Sequence, residues 1–220
     1  MMAGPANDLR YDDLIPSEHE VDSYVYVDDT GTGVNWSITT RALCSDEPGI
    51  GYEIVSATST PRDSDLFHEA LASCPGGKDL IGTGWSITGG LGHVGVTKVL
   101  PTAGDDVEVT AYEDDTGWSG DWDVTAYAIC VAGISGQRVQ SYETTAHSGT
   151  HGATNGCSVG EVGLGGGFEV HDQPRFTTLS TFWPGNVYLG QGLLTVTVKE
   201  DDAGTPDDWR LTHHQICADA

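Results

Sequence analysis

Apolar and polar residues alternate in several stretches of the chain, and this period of two predicts half-buried β-strands. The alternating runs come in pairs, at 24–27 with 36–44, 109–112 with 122–130, and 194–198 with 209–217. Two alternating runs separated by a short polar segment are typical of a β-hairpin. We therefore expect each pair to form an antiparallel hairpin.

The segment inside each pair repeats one phrase: two acidic residues, a small residue and Gly, followed by a Trp and then a Cys at constant spacing. The acidic pairs are Asp28–Asp29, Asp114–Asp115 and Asp201–Asp202, and their starts are 86 and 87 residues apart. Self-similarity at a fixed period indicates a repeated supersecondary unit. Because Asp and Gly favour turns, we expect each hairpin loop to carry an acidic pair, and the Trp that follows to face a common core.

A second block occurs only twice, beginning at Cys74 and at Cys157. It reads Cys-x-x-Gly, three residues, an aliphatic residue, Gly-x-Gly and an aromatic residue. Its glycines predict a β-bulge or a close backbone approach before a strand. The domain at 22–220 then contains a half-unit at 22–45 and full units at 50–131 and 137–218. The opening half of the first unit is missing, and residues 1–21 are predicted to form an extended N-terminal arm.

At these two blocks and the strands that end in Cys, the chain resembles vitelline membrane outer layer protein I. It is also similar to a Cys-x-x-Gly repeat of secreted bacterial proteins. The resemblance covers about 22–218 as a pattern. It implies an all-β fold of pseudo-threefold antiparallel sheets arranged as a β-prism, and its motifs are structural.

The same resemblance implies that the first Cys of a unit bonds the last, which gives Cys74–Cys130 and Cys157–Cys217 and leaves Cys44 free. A competing set is Cys44–Cys74 and Cys130–Cys157, and a third possibility is five reduced thiols. The repeat favours the first set. Either disulfide set would suit an oxidising compartment.

The charge balance narrows the range of partners. The 33 acidic residues face only 9 basic ones, for a net charge of −24. Phosphate would be repelled, which argues against nucleic acid and against an anionic membrane surface. No apolar stretch is long enough to span a bilayer, so membrane insertion is not expected. Such a surface suits high salt and an extracellular or virion location, reached through a removed leader or by release on lysis.

The acidic pairs are also the candidate metal ligands. Carboxylate oxygens bind Ca²⁺, a hard cation that needs six to eight oxygens. The residues are Asp28, Asp29, Asp114, Asp115, Asp201 and Asp202. The alternative is a solvated turn that needs no ion, and no other cofactor is expected.

Histidines offer a weaker candidate for chemistry. His147 and His151 are four residues apart, but their Gly- and Thr-rich segment is predicted to be a polar loop. A hydrolase that uses them with nearby acids is one rival function. His213 lies in the last strand, where a hydrogen-bonded, half-buried role is expected.

Aromatic residues outside the repeat are the candidate ligand-binding groups, because exposed rings stack on sugars while polar neighbours bind hydroxyls. They are Trp118, Trp183, Tyr188 and Tyr142. The alternative is that the two tryptophans cap the core.

Taken together, these features predict a non-enzymatic structural or binding module displayed on a virion or cell surface. Its partners would be other structural proteins, or copies of itself, reached through the N-terminal arm, with glycans possible at the loops. A secreted, lectin-like carbohydrate-binding protein is the main alternative, and no enzyme activity is expected.

Overall fold

A computed structural model describes residues 2–3, 6–44, 50–184 and 192–220 of the protein. Within these ranges there are β-strands and two short 3-10 helices, Ala6–Asp8 and Pro174–Phe176, and no α-helix. The predicted all-β class is confirmed. The described residues contain no helix that is long and apolar enough to cross a membrane.

The strands form three successive groups along the chain, and the first group starts before the half-unit predicted at 22–45. The first contains β1 Met2–Ala3, β2 Leu9–Pro16, β3 Val21–Val27 and β4 Ser37–Ile38. The second contains β5 Glu53–Thr58, β6 Phe67–Ser73, β7 Asp79–Thr88, β8 Val94–Pro101, β9 Asp106–Glu113 and β10 Asp123–Val131. The third contains β11 Arg138–Glu143, β12 His151–Gly156, β13 Glu161–His171, β14 Thr177–Pro184, β15 Leu193–Glu200 and β16 Arg210–Asp219.

Three antiparallel sheets of five, six and three strands form the body of the protein. Their strand orders are β3-β2-β7-β10-β5, β11-β16-β13-β8-β9-β6 and β12-β15-β14, and β1 pairs with β4 apart from them. The first two sheets each combine strands of two units, whereas the third consists of strands from one. The prism arrangement implied by the resemblance stays a prediction.

The acidic loops do not close hairpins, so that prediction is wrong. The strands before them pair backwards along the chain, as the hairpins β2–β3, β8–β9 and β14–β15. The strands after them pair elsewhere: β10 lies between β7 and β5, and β16 lies between β13 and β11. Each acidic loop is therefore a corner at which the chain leaves one sheet and enters another.

The segment predicted to be an N-terminal arm is part of the first sheet. Its backbone is extended, but β2 lies between β3 and β7. Leu9 is 0% exposed and Tyr11 is 6% exposed. Burial of these apolar side chains holds the segment in the sheet. Residues 9–16 are consequently not available to dock on a neighbouring molecule, and the first unit begins earlier than predicted.

The tryptophans of the repeat do not share one environment. Trp122 and Trp209 are fully buried, and each indole donates a hydrogen bond to the last residue of the preceding hairpin, Glu113 (3.2 Å) or Glu200 (3.4 Å). Trp36 is 37% exposed. The first unit lacks the strands that cover the other two indoles, so the expectation of a common core is wrong for Trp36.

The glycines of the second block behave as predicted. The pairing of β7 with β10 and that of β13 with β16 each contain a register shift. A Cβ atom at Gly84 would lie 2.6 Å from the carbonyl oxygen of Leu14, and one at Gly165 would lie 2.7 Å from that of Ile81. Only a residue without a side chain permits these backbone approaches.

Two disulfides join Cys74 to Cys130 and Cys157 to Cys217, and Cys44 is free and exposed. The pairing implied by the resemblance is confirmed. Disulfides of this kind persist outside the reducing cytosol, which indicates a non-reducing, extracellular environment.

Candidate functional site

The first aspartate of each acidic pair is buried and holds its own corner. Asp28 is 7% exposed, Asp114 is 2% exposed and Asp201 is 3% exposed. The Asp114 Oδ1 atom accepts hydrogen bonds from the Thr116 amide (3.1 Å), the Thr116 hydroxyl (2.8 Å) and the Gly117 amide (2.9 Å). Asp28 makes the same three contacts in its own loop. These carboxylates are turn-forming groups before they are candidate ligands.

The three corners meet at one end of the molecule. Burial raises the pKa of Asp28, and the charge of Asp202 from another corner raises it further. Burial likewise raises the pKa of Asp201, with a smaller contribution from Asp115. Arg10 opposes this effect, because its Nη2 atom lies 2.8 Å from Asp201 Oδ2 in a buried ion pair. The acidic corners therefore pack together around the buried guanidinium of Arg10.

A second arginine ties the Asp114 corner to the short helix before β14. Arg175 lies in the short helix before β14 and donates from Nε to the carbonyl oxygens of Glu113 (3.3 Å) and Asp114 (3.1 Å). Arg10 also donates to the carbonyl oxygen of Thr177 at 2.9 Å. Both guanidinium groups hold backbone oxygens in fixed positions, so their role at this end of the molecule is structural.

Among the predicted metal ligands, the structure brings together Asp29 and Asp114, joined by His93. One ligand atom from each of the three lies within 4.8 Å of the others. Three donors are fewer than the six to eight oxygens that Ca²⁺ takes, and the Asp201 carboxylate is paired with Arg10. The calcium site stays a prediction, and the residues to test for it are Asp29, His93 and Asp114.

Replacing Asp114 by Ala should lower the free energy of unfolding by about 2 kcal/mol, because three donors lose a charged acceptor. Asp115, the exposed second member of the same pair, is the matched control. Asp115→Ala should change stability by less than about 0.5 kcal/mol. Urea unfolding of the three proteins measures the difference, and equal losses would show that the buried carboxylate does not hold the corner.

The same proteins can be used to test for a cation. A rise in melting temperature on addition of calcium to the wild type, and no rise in Asp114→Ala, would support the Asp29–His93–Asp114 group as a metal site. An unchanged melting temperature at millimolar calcium would contradict it.

His151 has a packing role rather than the predicted place in a loop. It begins β12 and is 1% exposed, and its ring lies 4.0 Å from that of Trp209. His68 packs in the same manner on Trp122, at 4.3 Å. Both His151 nitrogens lie at hydrogen-bond distance from protein oxygens: Nδ1 is 2.7 Å from Thr144 Oγ1 and Nε2 is 2.9 Å from the His147 carbonyl oxygen. Burial lowers the pKa of His151.

Two further histidines are buried in β16, contrary to the half-buried role expected for His213. His213 is 1% exposed and His214 is 5% exposed. Burial lowers the pKa of each ring to about 4. His214 Nδ1 lies 2.8 Å from Ser141 Oγ, whereas neither nitrogen of His213 has a hydrogen-bond partner among the described residues. These rings are neutral at pH 7 and serve as core residues.

A cleft of about 480 Å³ lies beside β14, towards the end of that strand. Its apolar floor includes Leu14, Trp85 and Phe182, and the exposed segment 39–44 lines it as well. This volume is within the range of ligand-binding pockets. Phe182 contacts the rings of Trp85 (5.6 Å) and Phe168 (6.2 Å), so the floor of the cleft is continuous with the protein core.

The structure does not bring the predicted ligand-binding aromatic residues together. Trp183 lines the cleft, where the guanidinium of Arg41 lies 3.8 Å from the centre of its ring. Trp118 stacks on His93 at 5.2 Å and packs against the core, which is the capping role given as its alternative. Tyr142 is 54% exposed, in β11. Tyr188 lies outside the described residues.

Sequence reasoning identified Trp183 but did not identify the cleft. Phe182, Leu14 and Arg41 come from three separate segments, and no local motif links them. One signal was nevertheless present: the missing half of the first unit predicts a gap in one sheet. The cleft lies beside β14, in the sheet that has only three strands.

Comparison with known proteins assigns no family to this fold and site. No protein-family model matches the chain, and no curated protein sequence is significantly similar to it.

Proposed function

We propose that the protein is a non-enzymatic binding module that is displayed outside the cell, at a cell or virion surface, and that the cleft beside β14 is its recognition site. The cleft carries this proposal. It combines a fully buried ring, Trp85, with partly buried apolar residues such as Leu14 and Phe182 and with exposed residues such as Arg41. An apolar pocket with polar groups at its rim is the usual form of a binding site.

Several groups that could take part in catalysis have structural roles. His151 packs against Trp209 with both nitrogens close to protein oxygens, and Asp28, Asp114 and Asp201 stabilise their own corners. A general base needs a free nitrogen or oxygen within reach of a substrate. These contacts support a binding function over a hydrolase.

The surface charge supports a function away from nucleic acid. A net charge of −24 repels phosphate and keeps a displayed domain soluble, including at high salt, where screening weakens the self-repulsion. The two disulfides agree with a location outside the cytosol.

A neutral apolar dye, Nile red, tests the cleft as a binding site. We expect native protein to bind the dye, and Leu43→Glu to weaken binding at least fivefold, because Leu43 lines the cleft. Leu71→Glu is the matched control: Leu71 is 54% exposed, against 50% for Leu43, and lies in β6, away from the cleft. Equal effects of the two changes, or no binding to native protein, would contradict the proposal.

A carbohydrate ligand is the second candidate, favoured by the position of Trp183 beside Arg41 on the cleft wall. An indole next to a polar group is the usual arrangement for stacking on a sugar. A printed glycan array tests this candidate. If the ligand is a carbohydrate, at least one glycan on the array should bind, and its signal should be lost in Trp183→Ala. An array without any binder would reject a carbohydrate ligand.

A further inference from the structure

Three strands of the fold are equivalent: β2, β8 and β14. Each has eight residues, ends in a proline and is the first strand of a hairpin. Each also shifts register against its hairpin partner between its third and fifth residues, at Tyr11/Asp13, Val96/Lys98 and Leu179/Thr181. The equivalence therefore holds residue by residue.

In two of the three cases a Gly-x-Gly strand covers the other side of this strand. Leu14, the sixth residue of β2, pairs with Trp85 of β7, and Val99, the sixth residue of β8, pairs with Phe168 of β13. The glycine before each aromatic residue lies against the strand's terminal proline. A Cβ atom on Gly84 would lie 2.5 Å from Pro16 Cδ, and one on Gly167 would lie 2.7 Å from Pro101 Cδ.

The third strand, β14, has no such neighbour among the described residues. Its sixth residue is Phe182 and its terminal residue is Pro184, and both line the cleft. Among the described strands, only β15 pairs with β14. The segment 39–44, which corresponds by sequence to parts of β10 and β16, also lines the cleft. In the five-stranded sheet, β7 fills the position between β2 and β10. The cleft occupies the equivalent position, between β14 and segment 39–44, and no described strand fills it.

The cysteines lead to the same conclusion. Cys74 lies in the turn before the Gly-x-Gly strand β7 and bonds Cys130 of β10. Cys157 lies in the turn before β13 and bonds Cys217 of β16. Cys44 corresponds to Cys130 and Cys217, and it is a free, exposed thiol among the residues that line the cleft. By this correspondence, the missing partner of Cys44 would lie in the turn before the missing strand.

From these correspondences we propose that the cleft receives an extended segment of a partner polypeptide, which adds a strand to β14 at the edge that faces the cleft. The proposal rests on the cleft being the recognition site, and it names the class of ligand. The repeat defines the chemistry of the segment: Gly-x-Gly followed by an aromatic residue, with a cysteine upstream that can reach Cys44. Strand addition of this kind gains affinity from backbone hydrogen bonds and specificity from alternate side chains.

The core is complete before such a segment binds. Trp85 and Phe168 occupy equivalent positions, and the ring of Phe182 packs against both of them. Phe182 stands where the other two strands have Leu14 and Val99, so its larger ring contributes volume at the centre where the third aromatic residue is missing. The partner segment therefore docks on a folded protein.

The two filled positions supply the probe. A peptide with the sequence of residues 74–88, carrying Ser in place of Cys74, should bind native protein and displace Nile red. A peptide in which both glycines of the Gly-x-Gly are Val should bind at least tenfold more weakly, because a side chain before the aromatic residue would meet Pro184. Leu43→Glu should weaken binding at least fivefold, and Leu71→Glu should leave it unchanged. Fluorescence anisotropy measures all four affinities.

Cys44 provides a second readout. The same peptide, with its cysteine retained as a mixed disulfide with 2-thiopyridine, should label Cys44. The Cys44 thiolate attacks the peptide sulfur, the bond to the thiopyridine breaks, and pyridine-2-thione leaves with the electron pair as the new disulfide forms. Labelling should be at least tenfold faster with the Gly-x-Gly peptide than with the Val peptide, and absent in Cys44→Ser. Mass spectrometry identifies the adduct.

The outcomes separate the two proposals. If Nile red binds in the cleft and the peptide neither binds nor displaces it, the proposal of an added strand is rejected and the proposal that the cleft is a binding site is kept. If neither the dye nor the peptide binds, both proposals are rejected. Equal affinity for the Gly and Val peptides would reject the proposed register, in which the glycine before the aromatic residue lies against Pro184. A stable dimer of the protein alone, formed through this face and lost in Leu43→Glu, would overturn a foreign partner in favour of a second copy.

Discussion

Replacing both Cys157 and Cys217 by Ser is expected to lower the free energy of unfolding by about 4 kcal/mol, the value for opening a long disulfide loop. The bond closes a loop of 60 residues and ties β16 to the residue that follows β12. Cys217 is 0% exposed, so the two hydroxyls introduced would also be buried. Chemical denaturation of the double variant and the wild type, without reductant, measures the loss.

Cys44→Ser is the matched control, because Cys44 is free and exposed. Its stability should stay within about 0.5 kcal/mol of the wild type. A double variant as stable as this control would show that sheet packing alone holds β16 in place. The pair at Cys74 and Cys130, which closes a loop of 56 residues, should give a similar loss.

A second large effect is expected from Asp12→Asn, which should stabilise the protein by roughly 5 to 6 kcal/mol at pH 9 and leave it unchanged near pH 3.5. Asp12 is 5% exposed. Burial, together with the neighbouring charge of Asp13, raises the pKa of Asp12 to about 8. The equivalent positions in the other two units hold Thr97 and Ser180, which are neutral.

The direction of this effect follows from proton binding. Between pH 4 and pH 8 the Asp12 carboxyl is ionised in the unfolded chain and protonated in the folded protein. The folded state therefore binds more protons, and stability falls as the pH rises through this range. An amide cannot ionise, so the variant should lose this slope, and the difference between the two proteins should grow from pH 4 to pH 8.

Asp22→Asn is the control for a simple change of net charge, because Asp22 is exposed on the adjacent strand β3. It should reproduce neither the gain nor the change of slope. Urea unfolding at several pH values measures both variants. Parallel curves for Asp12→Asn and the wild type would show that Asp12 is ionised in the folded protein throughout this range.

The local elements of this fold could be predicted from the sequence, because alternation and spacing are local properties. The run that ends at Cys130 is a strand, and the glycines at 82 and 84 mark a close approach. In both cases the signal comes from the residue types themselves: alternating apolar residues in the strand, and small residues at the close approach. The disulfide pairing was implied by the resemblance, because the cysteine positions alone left a second set open.

The pairing of strands could not be predicted in the same manner. Asp114 and Gly117 form a tight turn whether the next strand returns alongside or crosses to another sheet. The choice depends on which residues cover Trp122, and these include Asp65, whose carbonyl oxygen accepts a hydrogen bond from the indole across 57 residues of sequence. Strand β2 was not predicted because its polar residues, such as Arg10 and Asp12, indicated an exposed arm, although both side chains are buried.

The site was predicted only in part for a related reason. Trp183 was identified because it is aromatic and lies outside the repeat, but the same criterion selected Tyr142, which lies on another sheet. The cleft depends on an element that the first unit lacks, and a missing strand can be recognised only after the equivalent strands have been located in the other units.

The corners between sheets also have a consequence for folding. The crossing strands β10 and β16 each insert between two earlier strands of their own unit, so each of these units completes its backbone hydrogen bonds only when its last strand is in place. The pairing of β8 with β13 then joins the two units in one sheet. The six-stranded sheet draws on residues from 67 to 219 and is completed only when β16 inserts between β11 and β13. Such long-range pairing predicts slow, all-or-none folding, in contrast to solenoid repeats that fold one after another. During synthesis, β16 would have to leave the ribosome before this domain could close.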